Sequence, residues 1–271
     1  MSRTIATEPP PRRPAGNLSV RAVARSAALP FRRAHAGLLR RWFIRRGARA
    51  DVLACPTVIV APHQDDETIG CGGLIALKRR AGADVTVVIL TDGSNYRGRD
   101  AAASTAQVTA LRRQEALAAT AALGVPADRV RFLDGPDGQL ATLHTEARAA
   151  LVRQLAAILT AAAPEEAYVT HRHDGHPDHE AAHGLLCDAL AQIGCTARVW
   201  QYPIWMTWVA PIGLRLKSAD LAGLRIVPVT AVSDAKAKAL AAYPSQLATL
   251  PSHFLDPFAL PYEVYFSDNN F

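Results

Sequence analysis

From Val58 onward, two patterns of apolar residues take turns along the chain. Short continuous runs, TVIVA (57–61), DVTVVILTDG (84–93) and EAYVTH (166–171), suit strands buried on both faces. RVRFLDGPDG (129–138) is a shorter strand running into a turn. Between these runs, apolar residues recur at helical spacing. One predicted helix runs from Thr68 to Ala81. A second covers TAQVTALRRQEALAATAALGV (105–125), with Gly124 placed to stop it. A third, LHTEARAALVRQLAAILTAAAP (143–164), ends at Pro164, and a fourth is DHEAAHGLLCDALAQIG (178–194). This alternation predicts an α/β fold, a Rossmann-like three-layer sandwich with a mostly parallel sheet covered on both faces. After about residue 196 the pattern changes. Short apolar or aromatic runs (ARVWQYPIW, LRIVPV, YEVYF) surround one helical stretch, Asp234–Ala242, which reads as added strands and loops that finish the sheet and wall a pocket. No internal repeat is evident.

Length and charge then divide the chain. With 271 residues, 49% of them hydrophobic, it can bury a sizeable core. The first 50 residues carry 12 Arg, no Lys and one acid (Glu8), whereas the remainder holds 18 Lys+Arg against 23 Asp+Glu. The basic pI therefore belongs to residues 1–50, read as a basic N-terminal extension, partly disordered or helical, ahead of a mildly acidic domain over 51–271. Residues 1–17, rich in Pro and polar positions, are expected to be disordered. No apolar segment follows the paired arginines, so an export signal is not expected. Residues 18–49 intersperse Leu18, Val20, Val23, Leu29, Phe31, Leu38, Leu39, Trp42, Phe43 and Ile44 with arginines. Such a helix suits the body of the protein or a sister subunit in a homo-oligomer, or peripheral contact with an anionic membrane. Nucleic acid is not an expected partner, since no reader motif accompanies the charge. No run of about 18 apolar residues exists, so no membrane-spanning helix is predicted. Cys55, Cys71, Cys187 and Cys195 form no C-x-x-C pair, and their scatter fits a reducing cytoplasm.

The chemistry gathers at strand ends. In a parallel α/β sheet, ligands sit beyond the carboxyl ends of the strands. His63, Asp65 and Asp66 follow the first run, and His171, His173, Asp174, His176, Asp178 and His179 follow EAYVT. Two acid/His clusters, about 110 residues apart, thus emerge on one sheet edge. Crowded carboxylates in a half-buried site are costly, and a divalent metal resolves that cost. Taken alone, the acids of DDE also suit the start of a helix. Four histidines in HRHDGHPDH have no such ordinary explanation. His63, Asp66 and one histidine of the second cluster make a His₂Asp ligand set, which leaves an acid free to serve as base.

PHQDDE (62–67) and GHPDH (175–179) resemble the paired signatures of the LmbE/PIG-L family of zinc-dependent N-deacetylases, among them N-acetylglucosaminyl-conjugate deacetylases. The similarity continues through LTDG (90–93), RRQEALAATAALGV (112–125) and FLDGPDGQL (132–140), and KAKALAAYPSQ (236–246) is similar to a later helix of the family. The resemblance implies a hydrolase that removes an acetyl or other acyl group from the nitrogen of a small-molecule amino sugar or glycoconjugate. It implies Zn2+ (Fe2+ fits the same donors) on His63, Asp66 and His179, with Asp65 as the general base toward water. His176 would be the protonated partner that stabilises the oxyanion, and Asp178 would hold His176. Arg112 and Asp137 match sugar-contacting positions.

Gln64 stands where many members have proline, and Ser94 where many have an acid that contacts substrate. His183, one turn after His179, reads as a helix-surface residue. His173 and Asp174 are candidates for the pocket wall, and Glu67 for structural support. Trp200–Trp208 reads as core and sheet-edge packing, or as the apolar pocket of an amidase acting on a larger acyl or thiol-conjugate amide. A third reading makes the basic extension the function, for membrane docking, with a vestigial site.

Overall fold

The computed structural model describes residues 20–95, 103–209, 216, 221 and 223–268, with side chains described from Leu29 onward. The expected disorder of residues 1–17 lies outside them. α1 (Val20–Arg46) leads into a two-residue strand, β1 (Ala48–Arg49). Alternation follows: β2 (Thr57–Ala61), α2 (Asp66–Arg80), β3 (Val85–Thr91), α3 (Thr105–Ala122), β4 (Val130–Gly135), α4 (Thr145–Ala162), β5 (Glu166–Thr170), α5 (Pro177–Ile193) and β6 (Arg198–Tyr202). Then come β7 (Arg225–Pro228), α6 (Ser233–Ala241), a single helical turn (Pro244–Leu247) and β8 (Tyr262–Ser267).

Among the described residues the sheet has eight strands in the order β1-β7-β8-β6-β5-β2-β3-β4. Every pairing is parallel except those of β8, which runs antiparallel to β6 and β7. The strand-helix alternation read from the sequence is the observed architecture, and the runs after residue 196 complete one end of the sheet.

The continuous apolar runs have a simple cause. Along β2 and β3, Ile59, Ala61, Val87 and Ile89 face one core with α2 and α3. Val58, Val60, Val88 and Leu90 face a second core with α4 and α5. Alternate side chains point to opposite faces, and here both faces are covered. α2 lies against the sheet almost wholly buried. A Cβ on Gly70 would fall 2.3 Å from Tyr202 Cδ2, and one on Gly73 would fall 2.5 Å from Val229 Cγ1, so glycine sets how close the helix approaches. The buried carboxylate of Glu263 in β8 accepts from the N–H groups of Gly73 and Leu74 and from Lys236, tying α2 to β8 and α6.

One face of α1 packs on the body. Ala36, Arg40 and Phe43 are buried, Phe43 edge-on to Phe266 and Arg40 over the Phe258 ring. β1 then pairs with β7, joining this end of the extension to the sheet. Trp200, Ile204, Met206 and Trp208 are buried, so the aromatic stretch is chiefly core. No helix among the described residues is long and apolar enough to cross a membrane.

Candidate active site

β2 is flanked by β3 on one side and β5 on the other, so the chain order reverses beside it. This is the switch point at which strand-end loops diverge and leave a crevice. The loop from β2 to α2 carries His63 and Asp65, with Asp66 opening α2; the loop from β5 to α5 carries His171–His176, with His179 in the first turn of α5.

These junctions bring three atoms together. His63 Nδ1 lies 3.1 Å from Asp66 Oδ2, His179 Nε2 lies 3.2 Å from the same oxygen, and the two nitrogens are 3.3 Å apart. That spacing matches ligands at about 2.0–2.1 Å from one divalent ion. The donor set, two imidazoles and a carboxylate, suits the same class of ion.

Each histidine also turns its other nitrogen to carboxylate. His63 Nε2 faces Asp178 (3.2 Å) and Asp137 (3.3 Å), and His179 Nδ1 faces Asp174 (2.7 Å). A carboxylate behind a ligating imidazole fixes its tautomer and raises its basicity. Asp174 is anchored in turn by the backbone N–H groups of Ile204, Trp205 and Met206. It is therefore buried support for His179 and not a pocket wall. His173 is likewise absent from the pocket lining.

The expected partnership of Asp178 with His176 needs correction. The Asp178 carboxylate accepts from the N–H groups of Gly138 (2.7 Å) and Leu140 (2.9 Å) and backs His63. What Asp178 gives His176 is its backbone N–H, which donates to His176 Nδ1 at 3.3 Å. His176 caps α5, and its first turn aims the Asp178 side chain at the loop after β4. The protonation expected of His176 runs against two features of its surroundings. Nδ1 accepts a hydrogen bond, which requires its lone pair, and burial followed by the neighbouring His179 and His63 pushes its pKa down to about 4. An imidazole that accepts at Nδ1 keeps its remaining N–H on Nε2.

Charge explains the rest. Burial opposes ionisation of Asp66, but His179 and then His63 overcome it and hold the carboxyl well below its usual range. Burial likewise opposes the imidazolium of His63, yet Asp137, Asp178 and Asp66 outweigh it and raise its pKa well above 6.5. For His179, burial is outweighed by Asp66 and Asp174, which lift it to about 9. Asp65 goes the other way, its pKa raised well above 3.8 by burial and then by Asp66. Its backbone has φ 120°, a conformation that side chains other than glycine rarely adopt. Glu67, fully buried, holds this turn by accepting from the Asp65 N–H, Thr68 and Tyr243. Backbone strain at a pocket-lining carboxylate points to chemistry there.

A pocket of about 330 Å³ opens over these groups, lined by His63, Asp65, Asp66, Arg112, Asp137 and His176. Ile204, Trp205, Leu250 and Phe254 form its apolar wall, and Asn95 and Gln246 add amides. Arg112 is largely committed to structure: it donates to the carbonyls of Gly93 and Gln64 and pairs with Asp137 at 3.3 Å. This close meeting requires Gly93, where a Cβ would lie 2.5 Å from Gln64 Oε1. Ser94 is held through its N–H by the Asp92 carboxylate. His183 departs from its expected place at the helix surface. It is largely buried, pairs with Asp268 at 2.5 Å, and has Cys187 at 3.8 Å.

Residues 58–190 match the PIG-L family, described as GlcNAc-PI de-N-acetylase. A 1D-myo-inositol 2-acetamido-2-deoxy-alpha-D-glucopyranoside deacetylase from Tsukamurella paurometabola is 30% identical, covering 72% of this chain and 84% of its own length. The chain belongs to the PIG-L family. Solved structures share the family's fold at lower identity. The N,N'-diacetylchitobiose deacetylase of Pyrococcus horikoshii is 23% identical with a TM-score of 0.56, covering 84% of each chain. The 4-carboxy-2-hydroxymuconate hydratase of Pseudomonas putida is 22% identical with a TM-score of 0.57, covering 74% of this chain and 82% of its own. A hydratase and a deacetylase on one fold mean that the reaction must be argued from the site.

Proposed function

We propose that this PIG-L chain is a metal-dependent N-deacetylase acting on an N-acetylglucosamine conjugate of the glycosyl-polyol kind named for its relatives. The observation that carries this reading is the triangle of His63 Nδ1, Asp66 Oδ2 and His179 Nε2, with the strained Asp65 beside it in the pocket. His63, Asp66 and His179 would hold zinc, or ferrous iron on the same donors. The ion would supply a Lewis acid that polarises the acyl carbonyl and acidifies a water.

The residues of the chain do the rest. Asp65, not itself one of the three donors, takes the proton of the attacking water. Burial and then Asp66 raise its pKa, so it binds that proton more firmly than an exposed carboxylate would. Water oxygen bonds to the acyl carbon, the C–N bond then breaks, and the proton held on Asp65 passes to the departing nitrogen. The products are acetate and a free amine. His176, neutral and with Nε2–H available, donates to the oxyanion that forms. Asp178 supports this twice, through its N–H to His176 and its carboxylate to His63. Arg112 and Asp137 shape the sugar end of the pocket, with Asp137 the more available of the two.

The test is acetate release from N-acetylglucosaminyl-inositol by metal-loaded protein, comparing wild type with Asp65→Asn. The reading expects turnover by wild type and a fall in kcat on the order of 10²–10⁴-fold in the variant. Full activity in Asp65→Asn would overturn the assigned base. No release from any N-acetylated sugar would overturn the reaction. The apolar wall of Ile204, Trp205, Leu250 and Phe254 favours one second reading, a larger acyl group on the same nitrogen, which N-acyl sugars of increasing chain length would reveal.

A further inference from the structure

Among the described residues, α1 presents two opposite apolar faces, and only one of them is covered. Ala36, Arg40 and Phe43 face the body. Phe31 and Leu38 are each 66% exposed and Trp42 is 37% exposed. At about 100° per residue, Phe31, Leu38 and Trp42 fall within about 40° of one another, on the side opposite Arg40. Exposed arginines flank this stripe, Arg41 and Arg45 on one side and Arg32 and Arg46 on the other. α1 carries no acidic residue at all.

We propose that the outward face of α1, the stripe Phe31–Leu38–Trp42 with its flanking arginines, docks the protein onto an anionic membrane surface. Aromatic and aliphatic side chains there enter the boundary between headgroup and acyl chain, while arginines meet lipid phosphates. Charge decides against a second copy of the chain. A two-fold contact through this face would set arginines against arginines, with no acid on the helix to answer them. Polarity decides against a spanning helix, since α1, though 27 residues long, is too polar to cross a bilayer. The apolar surface also continues past the stripe. Leu38 and Arg41 line a cavity of about 890 Å³ beside α1, whose other wall includes Pro257, Leu260 and Tyr262. The same loop borders the site: His253 lines this cavity, and its neighbour Phe254 lines the active-site pocket.

The test is flotation of the full chain with phosphatidylcholine vesicles, with and without phosphatidylglycerol. Binding is expected only with the anionic lipid and should weaken as salt rises. The double variant Arg41→Glu/Arg45→Glu should lose on the order of tenfold or more in vesicle affinity. The triple variant Phe31→Ser/Leu38→Ser/Trp42→Ser should lose it too. Neither set belongs to the active site, so hydrolysis of a soluble substrate should be unchanged in both. Equal binding to neutral vesicles, or no binding at low salt, would overturn the proposal. So would sedimentation showing a dimer that the triple variant abolishes while vesicles are ignored. None of these outcomes bears on the deacetylase reading, whose own test uses soluble substrate.

Discussion

The two strand-to-helix junctions that build the site each deliver one imidazole, but they support it differently. His179 is fully buried and backed by Asp174, whose carboxylate also takes three backbone N–H groups. His63 sits at the pocket and is shared between Asp137 and Asp178, carboxylates from two separate segments. The helices behind them differ as well. α5 buries one face, whereas α2 is buried nearly all round and needs glycine where it meets the sheet. One half of the site is anchored by a single polar hub, and the other by distributed contacts and close packing.

This contrast makes the hub the most sensitive point. Asp174→Ala would strand three buried N–H groups and the His179 ring, and should cost about 3–5 kcal/mol by chemical denaturation. Gly138 and Leu140 donate to different oxygens of Asp178, so Asp178→Asn keeps an acceptor for one of them, and its stability loss should be closer to about 1–2 kcal/mol. Its metal affinity should still fall on the order of 10–100-fold, as expected when a ligating histidine loses its carboxylate. Equal destabilisation by the two variants would erase the distinction between hub and distributed support. Gly70→Ala probes the packed side of the contrast. Its Cβ must displace the Tyr202 ring, at an expected cost of about 1–3 kcal/mol seen as a lowered Tm.

Proton linkage provides a further comparison. In the metal-free protein the His179 pKa rises from 6.5 to about 9. The stabilisation this represents is present in full below pH 6.5 and is lost as pH rises through about 9. Metal needs the neutral imidazole, so metal affinity should climb over the same window. Calorimetric titrations at several pH values check this, and a flat profile would contradict it. The smallest expected effect is at the strained turn. In stability, Asp65→Gly should gain only about 1 kcal/mol, because glycine adopts φ 120° freely, while its kcat falls as in Asp65→Asn.

Much of this was legible from the sequence for a physical reason. Parallel strands buried on both faces leave continuous apolar runs, and the chemistry must emerge at their carboxyl ends. His63, Asp65, Asp66, His176 and His179 were therefore visible as converging groups. The supporting roles were not. Spacing cannot tell whether the Asp174 carboxylate turns into the pocket or away from it, and its three backbone partners lie some 30 residues downstream. Sequence proximity points the Asp178 side chain to His176, whereas its partners, Gly138, Leu140 and His63, are brought to it by the tertiary fold. His183 looked like a surface residue because Asp268, which pairs with it, lies beyond β8. Side-chain direction and long-range partners are properties of the folded chain, and no periodicity encodes them.

The most direct measurement is titration of chelator-stripped protein with zinc while following acetate release from N-acetylglucosaminyl-inositol. Activity should rise from near zero and saturate at one equivalent of metal per chain, and it should fail to appear in His179→Ala. Stripped protein that releases acetate at the full rate, or loaded protein whose activity ignores the loss of His179, would contradict the central claim.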